Sequence, residues 1–100
     1  MTIAQLKYVL EIAKTCSINK AAQNLFIPHS ALSNAIRNLE RELGNEIFTR
    51  TPKGVTLTPF GHRIVAYLRP LQIQLDQLDM FFEENKRNEI SFSVASMGFP

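Results

Sequence analysis

Between Ser17 and Gly61 the chain carries two helical patterns, a tight break between them, a glycine stop and a short ribbon. Few folds accommodate that order in so few residues. Ser17 is a natural cap for a short helix running to about Leu25, because its hydroxyl can accept a free backbone N–H. Ala21 and Ala22 keep that helix slim enough for another to cross it closely. Phe26-Ile27-Pro28 makes the break, since Pro28 disfavours a helical Ile27 and can open the next helix. Leu32, Ile36, Leu39 and Leu43, with Ala35 filling in, then mark a buried stripe on a helix over about 28–43. Gly44 ends it by accepting the left-handed conformation of a helix stop. Ile47 to Arg50 and Val55 to Leu57 are β-prone segments joined by Pro52-Lys53-Gly54, which predicts a hairpin.

The flanks add two more helices. Ile3, Leu6, Leu10 and Ala13, with Val9 beside them, predict an amphipathic helix at the start. Thr58-Pro59 pairs a capping hydroxyl with a proline at the first helical position, and opens a helix to roughly Asn88. At about 30 residues it would be about 45 Å long. Ile64, Leu68, Leu71, Leu75, Leu78 and Phe82 recur four, three, four, three and four apart along it, a heptad-like seam that Tyr67 and Phe81 broaden. A small three-helix core cannot cover so long a seam, which predicts a homodimer through this helix. Pro70 removes one backbone bond inside it and predicts a kink near Ala66–Pro70. Ile90-Ser91-Phe92-Ser93-Val94 alternates like a strand and reads as the opening of a further domain.

Charge is unevenly spread. Residues 1–63 hold eight basic side chains against four acidic ones, whereas residues 64–100 hold three against five. A basic front and acidic back fit a chain whose front meets phosphate. Cys16 is the single cysteine, so no internal disulfide forms and a reducing cytoplasm fits. It follows the apolar face of the first helix and reads as a small buried hydrophobe. No apolar run approaches a membrane span and no signal-peptide pattern opens the chain.

Ser30, Ser33, Asn34, Arg37 and Arg41 share the face of the third helix opposite its leucines, with His29 in the first turn. Short hydroxyls and amides there can approach base edges, and the arginines can reach phosphates. Any surface helix has a polar face, but this one holds no carboxylate in its first turns, while Glu40 and Glu42 lie at its far end. Lys53 with Arg50 makes a basic hairpin tip able to grip phosphate. Lys20, in the first turn of the second helix, adds a third phosphate contact beside the positive end of a helix dipole. Catalysis finds little support: His29 and His62 are far apart, Cys16 has no evident histidine partner, and no metal-ligand spacing occurs.

These residues together resemble the N-terminal domain of the LysR-type transcriptional regulators from about Ile3 to Phe82. The likeness is carried by Gln5-Leu6-Lys7-Tyr8, Ser17-Ile18-Asn19-Lys20-Ala21-Ala22 and Ala31-Leu32-Ser33. It continues through Ile36-Arg37-Asn38-Leu39-Glu40-Arg41-Glu42-Leu43-Gly44, Ile47-Phe48-Thr49-Arg50 and Leu57-Thr58-Pro59-Phe60-Gly61. The resemblance implies a winged helix-turn-helix, a linker helix that dimerises antiparallel, and a C-terminal domain that binds a small-molecule effector. It also implies interrupted palindromic DNA sites, with base contacts from His29, Ser30, Ser33 and Asn34 and a wing contact from Lys53, with Arg50 close by. The chain departs from the family's usual pattern at Pro28, at His29-Ser30, at Asn34 and at Pro70.

The expectation is therefore a mainly α fold: a winged helix-turn-helix over residues 1–58, with a three-helix core and a two-stranded wing. A long C-terminal dimerisation helix occupies 59–88, and residues 89–100 begin an effector-binding domain. Its partners are double-stranded DNA and a second copy, with no membrane, no metal and no cofactor in this segment. The rival reading is a winged-helix protein-interaction module, which would tolerate carboxylates or large apolar groups on the outer face of the third helix.

Overall fold

A computed structural model of the chain describes residues 1–91, with side chains through Lys86. Six elements succeed one another: α1 (Ile3–Thr15), α2 (Ile18–Leu25), α3 (His29–Leu43), β1 (Phe48–Thr51), β2 (Gly54–Leu57) and α4 (Pro59–Ser91). Met1–Arg69 forms one compact unit, and a second begins at Pro70 within α4.

Local chemistry sets the helix ends. Thr2 and Gln5 make a capping box at the start of α1: the Gln5 N–H donates to Thr2 Oγ1 (3.1 Å) and the Thr2 N–H to Gln5 Oε1 (2.9 Å). Ser17 caps α2 as expected, accepting from the Lys20 N–H at 3.2 Å. Pro28 stands at the N-cap of α3 with extended backbone and offers no side-chain hydrogen bond, so the first N–H groups of α3 have no capping side chain. Gly44 closes α3 with φ 72°, where its N–H reaches back to the Arg41 carbonyl.

The core is built from Val9 and Ile12 of α1, Ile18, Ala21 and Ala22 of α2, and Leu32, Ile36 and Leu39 of α3. Ile47, Phe48, Val55, Val65 and Leu68 complete it. Each large aliphatic side chain fully buried here contributes roughly 1.5–3 kcal/mol. The stripe of α1 differs in phase from the expected one. Its centre is Val9 and Ile12, with Leu6, Leu10 and Ala13 half-buried beside them, and Ile3 is exposed. Ile3 lies in the first turn and stays outside the buried stripe.

The expectation for Cys16 is also corrected: the residue is exposed. It is the C-cap of α1 in the left-handed conformation (φ 56°), which takes its side chain out of the helical stripe. Its carbonyl is used instead, accepting the Val55 N–H at 3.1 Å and tying the hairpin to the α1–α2 turn.

β1 and β2 pair antiparallel with Phe48 opposite Leu57 and Arg50 opposite Val55. Pro52 and Lys53 form the turn, and Thr51 Oγ1 donates to the Gly54 carbonyl at 2.9 Å. Thr58 locks the hairpin to α4: its hydroxyl donates to the Glu46 carbonyl (2.6 Å) and accepts the Gly61 N–H (2.9 Å). Gly61 is required there, because a Cβ at that position would collide with the Ile47 carbonyl.

α4 continues through Pro70 to Ser91. The strand expected over Ile90–Val94 is corrected at its first two residues, which close α4; its remainder lies outside the described residues. Two members of the expected dimer seam are likewise reassigned. Leu68 is 4% exposed in the core of the first unit, and Ile64 packs against that core. Tyr67 (72% exposed), Leu71, Leu78, Phe81 and Phe82 are exposed, and Leu75 is half-exposed.

Candidate nucleic-acid interface

α2, the Phe26-Ile27-Pro28 turn and α3 form a helix-turn-helix, and the β1–β2 hairpin is the adjoining wing. Backbone bonds make the turn rigid. The Phe26 N–H donates to the Gln23 carbonyl (3.2 Å) and the Ile27 N–H to the Ala22 carbonyl (3.1 Å), while Leu25 and Ile27 are half-buried against the core. The leucine stripe then fixes the rotation of α3, leaving His29, Ser30, Asn34, Arg37 and Arg41 exposed.

Ser33 is the exception on this helix. It is 7% exposed rather than on the outer face, because its helical phase puts it one step from Leu32, toward the wing. It lines a cleft between α3 and β1 together with Ile18, Arg37, Glu40, Phe48 and Arg50. Its Oγ has no hydrogen-bond partner within the chain. A buried hydroxyl without a partner costs free energy. The wing register explains the company: Arg50 lies two residues from Phe48 and so projects from the same face of the hairpin.

Glu40 holds the wing in place. Its Oε2 accepts the N–H groups of Ile47 (2.7 Å) and Phe48 (3.2 Å), joining the last turns of α3 to the entry of β1. Nothing local in the sequence reveals this role, because the bonded residues lie seven and eight positions downstream.

The cations on this side are in no ion pair, although Glu40 and Glu46 line the same cleft as Arg37 and Arg50. Among the described residues the ion pairs are the Met1 ammonium with Glu42 and Lys86 with Glu83. Lys20, Arg37, Arg41, Arg50 and Lys53 are all exposed and in neither. Arg37 and Arg41 instead reach neighbours on their own helix, Arg37 Nη1 donating to Asn34 Oδ1 (3.5 Å) and Arg41 Nη1 to Asn38 Oδ1 (3.3 Å). Such long, exposed bonds between uncharged amides and arginines are easily exchanged for a phosphate oxygen. α3 has no acidic residue in its first turn, so its positive dipole end is not offset. The surface therefore has base-sized polar groups at the helix start, cations along the helix, and a basic wing tip. No helix among the described residues is long and apolar enough to cross a membrane.

Known proteins share this arrangement. A family model described as the bacterial regulatory helix-turn-helix protein, lysR family, matches residues 3–62. The HTH-type transcriptional regulator HdfR of Yersinia pestis (strain Pestoides F) is 42% identical over 66 residues. That stretch is 66% of this chain and 22% of HdfR, so the chain matches about a fifth of that relative's length. BenM_DBD in its complex with catB site 1 DNA is similar at TM-score 0.76 and 33% identity, covering 84% of this chain and 93% of the other. CbnR complexed with its target DNA is similar at TM-score 0.68 and 25% identity, covering 89% of this chain and 29% of that one.

Proposed function

This chain belongs to the lysR family of bacterial regulatory helix-turn-helix proteins, and on that premise we propose that it is the DNA-binding part of a transcriptional regulator. α3 lies in the major groove, with His29, Ser30 and Asn34 at base edges, while Arg37 and Arg41 hold phosphates. Asn34 is suited to adenine, which it can bind in bidentate fashion once Arg37 turns to a phosphate. Lys53 and Arg50 of the wing and Lys20 of α2 take further phosphates.

Two such surfaces act together. The exposed Tyr67, Leu71, Leu78 and Phe82, with Leu75, form a seam that a second copy covers, giving a homodimer that reads an interrupted palindrome. Residues 1–58 are the DNA-binding module and 59–88 the dimerisation helix. The whole regulator also carries a C-terminal domain that binds a small-molecule effector. The regulator works in the cytoplasm, where its DNA is, and carries out no catalysis.

One observation carries the reading. The exposed first turns of α3 hold short polar side chains and no carboxylate, beside cations that are in no ion pair among the described residues. A protein-docking winged helix needs neither feature. Titrating the isotope-labelled chain with duplex DNA while recording amide shifts tests it. Shifts concentrated at residues 29–37 and at the wing tip are expected, and shifts confined to other surfaces would refute it.

A further inference from the structure

The side chain of Phe26 takes no part in the core. It is 93% exposed, more than any other large hydrophobic of the described residues, and the Phe26 backbone is left-handed at φ 58°. That conformation favours glycine and is unfavourable for a bulky side chain, so the residue meets a backbone penalty with no burial to offset it. Its neighbours Leu25 and Ile27 supply the core contacts of this turn, and its own N–H closes α2 on the Ala22 and Gln23 carbonyls. The left-handed backbone is the one the C-cap of α2 requires, and glycine or asparagine would supply it at lower cost, so the exposed ring is the part of Phe26 that the fold does not use. Phe26 lies three residues before His29, on a turn fixed by backbone hydrogen bonds, so docking the ring orders little that was free.

We infer that Phe26 is a further DNA-contacting, specificity-determining residue, whose ring packs against the C5-methyl group of a thymine at the major-groove edge of each half-site. The turn that carries the ring leads directly into the recognition helix, whose first residues meet base edges. Apolar contact with the thymine methyl is the one base-edge interaction a phenyl ring can make there, and it distinguishes thymine from the other bases. The inference rests on the reading of α3 as the groove-bound helix.

The test uses a duplex selected from a random library by the wild-type chain, with each thymine replaced in turn by deoxyuridine, which lacks only the methyl. Wild type should lose about fourfold in affinity at one thymine per half-site, the equivalent of about 0.8 kcal/mol for one buried methyl. Phe26→Gly, which suits the left-handed backbone, should melt no lower than wild type. It should bind the parent duplex at least fourfold more weakly, respond to none of the replacements at that position, and keep the wild-type salt dependence. Phe26→Asn, also tolerated in this conformation, should behave alike. Wild-type indifference to every replacement would overturn the assignment, as would variants that bind like wild type or respond to each replacement as wild type does. Asn34→Ala and Arg37→Ala run in parallel separate the two readings. If they weaken or redirect binding while the Phe26 variants do not, only Phe26 is wrongly placed; if none of the four has an effect, the reading of α3 falls as well.

Discussion

Replacing Glu40 with alanine should lower the melting temperature by about 10–20 °C, although the residue is charged and only half-buried. Its Oε2 is the acceptor for two backbone donors, the Ile47 N–H at 2.7 Å and the Phe48 N–H at 3.2 Å. Both residues are buried, and Ile47 is fully enclosed in the core, so water does not readily replace the carboxylate. A buried donor left unsatisfied costs about 1–3 kcal/mol, and the longer second bond adds about 1 kcal/mol or less. A loss of roughly 2–3 kcal/mol in a domain of this size corresponds to about 4–8 °C per kcal/mol. Far-ultraviolet circular dichroism during a thermal scan measures it. Glu40→Gln retains one acceptor oxygen and should fall about halfway between. A Glu40→Ala melting point within about 3 °C of wild type would refute the reasoning, because the wing would then be held by its apolar contacts alone.

The same geometry sets three further outcomes. Arg37→Ala and Lys53→Ala should weaken binding to every duplex alike, and each should reduce the slope of log affinity against log salt by about 0.9 for each phosphate no longer neutralised, as read by fluorescence anisotropy. Asn34→Ala should leave that slope unchanged and alter which sequences are selected from a random library. Leu78→Glu, in the exposed half of α4, should convert the dimer to monomer in sedimentation velocity while leaving the melting of the first unit nearly unchanged.

The parts of the fold set by local chemistry were legible from the residues. Ser17, Pro28, Gly44 and Thr58-Pro59 mark ends that the helices observe to within a residue, because a cap or a missing N–H acts on its own neighbours. The leucine stripe of α3 was equally plain, and with it the exposure of His29, Ser30, Asn34, Arg37 and Arg41. Features that depend on distant partners were not. Ser33 has the composition of an outer-face residue, and its burial depends on where the wing docks. Glu40 looks like a solvated charge until the Ile47 and Phe48 N–H groups are set against it. Periodicity also cannot say what covers a seam. Ile64 and Leu68 belong to the same heptad pattern as Leu78 and Phe82, yet they pack in their own unit while the later residues stay exposed. Phe26 was legible only as part of the break, because its exposure depends on how the turn packs.

The most direct measurement is fluorescence anisotropy of this chain on its library-selected duplex and on a shuffled duplex of the same composition, across a salt series. If five cations in each of two protomers meet phosphate, the slope of log affinity against log salt should be on the order of −5 to −9, and the selected duplex should bind at least about a thousandfold more tightly. Equal affinity for both duplexes would contradict base reading by α3, and no binding to either at low salt would contradict the nucleic-acid interface itself.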